Sequence, residues 1–432
     1  MRPEALLFWQ SRNRYTSSAI ALDVAARYAS LQLPVGVLVI DYKNQRTDGD
    51  FEPDPGCYPS VAALSSGVRS VLNASTVFSF WPEVQPKAAE FEPLRARGCL
   101  TNGALGGRIV DATIGACRSF IWSEMVRPRY YEQGVDAFWL DETDGEGTGG
   151  GGDGDHGYDT ALGPAFAHSN LWVNQWLRLF SEPVAAAKRA PPLVLTRGAW
   201  AGAARFGAVL WSSDIWSSFE QLQSQVVQGV HASLSGIPWW TTDVGGYGCG
   251  VAPPVDSPLM RELIVRWYQF GLFSPIFRTH GCRSRAGTPA EPDTPGCAPQ
   301  QPSCGPNEAW SYGAATLDTL SRYIRFRAQV LRPYLLELAA NVTHHGVPTM
   351  RPLWWDFSGD AMAYSAELDD QYMLGPALLV APVVVQGADS RSVYFPFGAK
   401  WRNVFNSSDV VEGGIRKQVH APLTIIPAYW RE

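Results

Sequence analysis

The sequence predicts an α/β fold, a (β/α)₈ TIM barrel followed by a small antiparallel β-sandwich. Three observations predict it. Eight short apolar runs alternate with stretches of helical period, ionisable residues stand directly behind most of those runs, and near residue 346 the texture changes to alternating short strands and turns. Residues 1–345 are accordingly assigned to the barrel and 346–432 to the sandwich.

The strand candidates are ALLFW (5–9), VGVLVI (35–40), STVFSFW (75–81), VDAFWL (135–140), PLVLT (192–196), AVLW (208–211), GIPWWTT (236–242) and FSPIF (273–277). They are continuous apolar runs without a polar alternate face, as parallel strands covered by helices on one side and filled by side-chain layers on the other require. Between them SSAIALDVAARYASL, SFEQLQSQVVQGVHASL and LDTLSRYIRFRAQVLRPYLLELAA carry apolar residues at three- and four-residue spacing, which predicts amphipathic helices. The Gly/Asp-rich stretch GEGTGGGGDGDHGYD (145–159) and the Pro-rich stretch 281–306 read as long loops. The first has too little apolar content to offset its ordering entropy and is expected to be mobile. After residue 346, MRPLWWDF, YMLGPALLVAPVVV, RSVYFPFG, KWRNVF and APLTIIPAYW read as the strands of the sandwich.

Composition narrows the function classes. A formal charge of −6 with no Lys/Arg run gives no footprint for a phosphate backbone, so nucleic acid is excluded as a partner. No apolar run approaches the roughly 20 residues needed to span a bilayer, and MRPEALLFWQ has no signal-peptide pattern. Three sequons, at Asn73, Asn341 and Asn406, would suit a secreted protein, and the compartment stays open. Seven cysteines in no CxxC or Cys/His spacing give no zinc site, although Cys282, Cys297 and Cys304 cluster where a loop disulfide is plausible. Seventeen tryptophans fit either core packing or the stacking of sugar rings.

The residues that carry chemistry stand directly behind the strands. In a (β/α)₈ barrel the C-terminal strand ends face the active site. Here VGVLVI runs into Asp41, VDAFWL into Asp141 and Glu142, PLVLT into Arg197, AVLWSS into Asp214, GIPWWTT into Asp243, and FSPIF into Arg278 and then His280. Any one of these could be a helix cap. Six strand ends on one rim are not explained by capping. Carboxylates without phosphate-cradling glycines or metal-spaced histidines suit cleavage of a neutral polyol, one acid protonating the leaving oxygen and one carboxylate serving the oxocarbenium-like centre. Neither a cofactor nor a metal is called for.

These residues and their surroundings resemble glycoside hydrolase family 31, the family of α-glucosidases and α-xylosidases. The resemblance runs through LLFWQSRNRY, VIDYKNQRTDGDFEPDPGCYPS, VFSFWPEV, GVDAFWLDE, LTRGAWAGAARFGAVLWSSDIWSSFEQL, GVHASLSGIPWWTTDVGGY and ELIVRWYQFGLFSPIFRTHG, and the stretch DDQYMLGPALLVAPVVVQGADSRSVYFPFGAKW looks like the family's proximal C-terminal β-sandwich. It implies a retaining hydrolase of terminal α-linked glucose or xylose in oligosaccharides, with Asp141 as nucleophile and Asp214 as general acid/base. It further implies that Arg197, Asp243, His280 and Asp41 grip sugar hydroxyls while Trp139, Trp211 and Tyr247 wall the pocket. Trp139 and Trp211 read equally well as layers of the barrel core, and Arg278 as the partner of a rim carboxylate. Asp214 would need a raised pKa, expected from apolar walls at Trp211 and Trp216 and from the charge of Asp141.

Two departures stand out. Ser213 occupies the place before the acid/base where the family usually has glycine, and the family's N-terminal β-sandwich ahead of the barrel has no counterpart here. A lyase or transglycosylase of the same family, and a non-catalytic sugar-binding relative, remain as alternatives. The IDYKNQRTDGDFEPDP and WWTTDVGGY stretches look more like the α-xylosidase-type and bacterial members.

Overall fold

The computed structural model describes residues 1–102, 109–143, 158–187, 190–248, 252–283 and 304–432. Residues 145–157 of the 145–159 loop and most of the 281–306 loop, with Cys249 and Cys297, lie outside the described residues.

Eight strands form one sheet: β1 (Phe8–Gln10), β2 (Val35–Ile40), β3 (Ser75–Phe80), β4 (Ala137–Leu140), β5 (Val194–Thr196), β6 (Ala208–Trp211), β7 (Trp240–Thr241) and β8 (Phe277–Thr279). Their order is β8-β1-β2-β3-β4-β5-β6-β7, the cyclic sequence order of a (β/α)₈ barrel. Neighbours from β2 to β6 pair in parallel, for example Val39 with Val77, Phe78 with Phe138, Trp139 with Leu195 and Leu195 with Val209. All six residues of VGVLVI and of STVFSF are buried, as strands covered on both faces must be.

Four of the described helices begin where the sequence supplies a capping serine hydroxyl. Ser17, Ser60, Ser218 and Ser257 are N-caps whose side chains accept the N–H of Ile20, Ala63, Gln221 and Met260, and Pro258 opens the last of these helices. Asn73 closes Val61–Leu72 in the left-handed region, a conformation that asparagine tolerates.

Three strand assignments shift. The first strand starts at Phe8, because Pro3–Leu6 forms a 3₁₀ turn. The seventh shrinks to two residues. The eighth moves to Phe277–Thr279, since the Phe273 and Ser274 N–H groups close turns onto the Phe270 and Gly271 carbonyls and Pro275 has no N–H to give. Arg278 is therefore inside β8 and not behind it.

The chain divides into two compact units, one built mainly from Trp9–Trp211, the other mainly from the chain after Ser212 together with Leu6–Phe8. In the second, a six-stranded antiparallel sheet holds β9 (Met350–Arg351), β10 (Tyr372–Leu374), β11 (Leu378–Val380), β13 (Lys400–Asn403), β14 (Val410–Glu412) and β16 (Ala428–Arg431), beside a hairpin of β12 (Ser390–Phe395) and β15 (Ile415–His420). Met373, Leu379, Trp401, Val411 and Tyr429 from the sheet and Val393, Phe395 and Val419 from the hairpin fill one core, which makes this a sandwich. The WWD of MRPLWWDF is a helical turn, Leu353–Asp356, and not strand. Arg266 on helix Pro258–Leu272 anchors this region by donating to the carbonyls of Ala388 (2.7 Å), Ala421 (3.0 Å), Ile425 (3.2 Å) and Pro422 (3.4 Å).

Candidate active site

The candidate residues fall into two groups, one in each unit. In the first, Asp141 directly follows β4, and its N–H is held by the Phe80 carbonyl at 3.1 Å. Its Oδ1 accepts the Glu142 N–H at 2.8 Å and the Arg197 Nη1–H at 3.3 Å. Arg197 Nη1 also reaches Glu142 Oε1 at 3.1 Å, and its own N–H bonds the Leu140 carbonyl at 3.1 Å. One guanidinium from the end of β5 thus binds both carboxylates at the end of β4, and all three side chains are buried to nine-tenths or nearly so. Glu142 has φ +54°, so the chain turns sharply behind Asp141.

Asp41 directly follows β2, is buried, and accepts the Tyr42 N–H at 2.7 Å. Trp139 and Trp211 lie inside β4 and β6. They are buried and meet edge to face at 5.4 Å and 81°.

In the second unit Asp214 stands three residues beyond the end of β6, in the loop that leads to the Ser218 cap. The Tyr247 and Gly248 N–H groups both bond the Ile215 carbonyl of this loop, at 2.8 and 3.2 Å. Asp243, behind β7, forms a fully buried ion pair with Arg278 of β8, the role expected of Arg278. His280 immediately follows β8 and is buried, with the Tyr247 ring stacked on it at 5.7 Å and 13°. Burial, and after it the charges of Arg278 and Arg283, push the imidazole well below its ordinary range, so the ring is neutral at physiological pH.

Among the described residues the apolar enclosure expected around Asp214 is incomplete: of its two expected walls, Trp211 is buried and Trp216 is exposed. Asp214 is exposed, and Trp216 is 56% exposed. Both lie in the loop two to four residues ahead of the Ser218 cap. Sequence reasoning also passed over Tyr42 and Trp81, which stack at 5.1 Å and 4° behind β2 and β3. The strand-end rule, applied to aromatic as well as ionisable residues, would have found them. Nothing in the sequence marked Arg283.

Residues 3–338 match the model of the glycosyl hydrolases family 31 TIM-barrel domain, and residues 346–432 match that of the glycosyl hydrolase family 31 C-terminal domain. The chain belongs to glycosyl hydrolase family 31. Within this family it is 29% identical over 428 residues to an alpha-xylosidase of Saccharolobus solfataricus, covering 98% of this chain and 54% of that protein. It is 30% identical over 473 residues to alpha-xylosidase A of Aspergillus niger, covering 98% and 62%. The structure of a family 31 alpha-xylosidase from a soil metagenome, complexed with xylose, superposes with a TM-score of 0.91 at 32% identity, covering all of this chain and 64% of that one. The chain thus spans between about half and two thirds of these relatives. Among the described residues no helix is long and apolar enough to cross a membrane.

Proposed function

We propose that this chain carries the catalytic barrel (1–345) and proximal sandwich (346–432) of a retaining α-glycoside hydrolase that removes terminal α-linked xylose or glucose from oligosaccharides. Xylose is favoured because two relatives that match nearly the whole chain are named α-xylosidases. The observation that carries the reading is the setting of Asp141, a buried carboxylate at a barrel strand end whose Oδ1 is fixed by a backbone N–H and by Arg197.

Asp141, ionised, attacks the anomeric carbon while Asp214, protonated, delivers its proton to the departing oxygen. A covalent glycosyl-enzyme forms. Asp214 then takes a proton from water, which attacks the same carbon from the leaving-group side, and the sugar departs with its configuration retained. Arg197, Asp41 and Asp243 grip hydroxyls through charge-assisted hydrogen bonds, and neutral His280 offers one without adding charge. Trp139, Trp211 and Tyr247 supply the apolar wall. The exposure of Asp214 leaves its proton exchangeable with water until a bound sugar covers it.

The test is substitution at the two aspartates. Asp141→Asn is expected to abolish turnover of aryl α-xylosides and α-glucosides. Asp214→Ala is expected to keep activity on substrates whose leaving group needs no proton, and to be rescued by azide attacking the glycosyl-enzyme. Unchanged activity in Asp141→Asn, or an inverted anomer in the first-formed product, refutes the mechanism.

A further inference from the structure

Arg283 lies three residues beyond His280 and is buried. Its guanidinium reaches four segments of the second unit. Nε donates to Tyr312 Oη at 3.2 Å, Nη1 to Ser217 Oγ and to the Tyr247 carbonyl, both at 3.3 Å, and Nη2 to the His280 carbonyl at 3.4 Å. Tyr312 in turn donates to Asn307 Oδ1 at 2.5 Å, and Asn307 Nδ2 reaches Thr279 Oγ1 of β8 at 3.4 Å. Three of the segments matter for the site. Ser217 stands three residues after Asp214, and Tyr247 and His280 are themselves candidate sugar contacts.

The guanidinium occupies a slot that two glycines keep open. A Cβ on Gly245 would fall 2.4 Å from Arg283 Nη2, and one on Gly281 would fall 2.5 Å from Nη1. Both glycines have positive φ, +105° and +155°. They sit two residues behind Asp243 and directly behind His280, so the loops that carry these two residues are shaped around a planar group. A lysine would bring a point charge with three donors, which cannot serve four acceptors spread around the edge of one plane.

We propose that Arg283 is a positioning residue: seated between Gly245 and Gly281, its guanidinium keys the loops bearing Asp214, Tyr247 and His280 into one arrangement. This rests on the site assignment above. A displacement of about 1 Å at a reacting group costs on the order of 100-fold in rate, so the fit of the key is expressed in catalysis as well as in stability.

The experiment compares the full chain with Arg283→Lys and Arg283→Met. It measures kcat and KM on aryl α-xyloside and α-glucoside across pH, the melting temperature, and the titration of the His280 ring by NMR. Both variants are expected to lose on the order of 100-fold in kcat/KM. The groups that face the ring include Tyr247, stacked on it, and the cations Arg278, paired with Asp243, and Arg283. Arg283→Met removes one of the two cations, so His280 is expected to take up a proton at higher pH than in the native chain. Arg283→Lys keeps a cation, so the titration is expected to stay near that of the native chain while kcat/KM still falls. Kinetic constants within about twofold of the native chain in folded variants, with only the melting temperature lowered, would overturn the proposal. Full recovery by Arg283→Lys would do the same, because charge and not shape would then suffice. A native chain that turns over neither glycoside refutes the functional reading instead. In that case calorimetric binding of xylose and glucose reads Arg283: weaker binding by both variants supports the proposal and equal binding overturns it.

Discussion

Ser213 stands directly before Asp214 with φ +62°, in the left-handed region where the family usually places glycine. Among the described residues its side chain has no hydrogen-bond partner, so replacing it by glycine removes no native contact of that kind. The left-handed conformation costs an L-residue with a Cβ about 1–2 kcal/mol. Glycine loses more chain entropy on folding, about 0.5–1 kcal/mol. The difference predicts that Ser213→Gly stabilises the second unit by roughly 0.5–1 kcal/mol. Because both residues occupy the same φ, Asp214 stays where it is, and kcat/KM on an aryl glycoside should remain within about twofold. The assay is urea unfolding monitored by tryptophan fluorescence, where the midpoint should rise with an unchanged slope. Ser213→Val is the control, since a branched Cβ tolerates this φ worst and its midpoint should fall. A lowered midpoint in Ser213→Gly, or no difference between Val and Ser, would refute the claim that strain is stored beside Asp214.

The buried charges of the second unit give two further expected outcomes. Asp243→Asn removes the Asp243 charge from beside the buried Arg278 guanidinium and should destabilise by about 3–5 kcal/mol, whereas the double change Asp243→Leu with Arg278→Met should cost less than the single one; equal losses in denaturant titrations would show that the pair is not coupled. His280 is a base whose pKa is depressed on folding, so its stabilising contribution is complete above pH 6.5 and is lost as pH falls toward the folded-state value. Native chain should therefore lose up to about 1.4 kcal/mol per pH unit below 6.5 relative to His280→Gln, and parallel pH–stability curves for the two would refute a neutral buried ring.

The parts of the fold legible in the sequence are those where one physical demand acts alone. VGVLVI and STVFSF are buried on both faces; the apolar run marks the first strand to the residue and overshoots the second by one, at Trp81. FSPIF is just as apolar, yet its first residues close the turn after helix Pro258–Leu272, and burial without extended backbone misplaced the eighth strand. The Trp pair of MRPLWWDF looks like a strand by composition and is a helical turn, because Pro352 at its start favours that entry and no alternation comes after it. The strand-end rule singled out Asp41, Asp141, Arg197, Asp243 and His280, and each does stand directly or two residues behind a barrel strand. Arg283 was not legible. A charge in a Pro- and Gly-rich loop has the pattern of a solvated side chain, and only coordinates show that Gly245 and Gly281 enclose it. The exposure of Asp214 was likewise invisible, because motif position says which residue is present and not what covers it.

The two groups of site residues also differ in charge, and the difference matches the tasks assigned to them. At the end of β4, Asp141 and Glu142 share one guanidinium, Arg197, which leaves a formal excess of one negative charge among these three groups. That excess favours a carbon that becomes positive in the transition state, and it acts where burial weakens screening by water. In the second unit Asp243 and Arg278 cancel, and His280 is held neutral by burial and by the neighbouring arginines. Asp243 with Arg278 and the neutral His280 together carry no net charge, which suits contacts to the uncharged hydroxyls of a sugar. The reasoning fixes which kinetic constant each group should move. Glu142→Gln, which removes the excess negative charge, should lower mainly kcat, because the charge on the reacting carbon changes between ground and transition state, whereas His280→Gln should act mainly on KM, because a hydroxyl contact is made in both. An exchange of these signatures, with Glu142→Gln raising KM alone and His280→Gln lowering kcat alone, would show that the charge distribution has been assigned to the wrong groups.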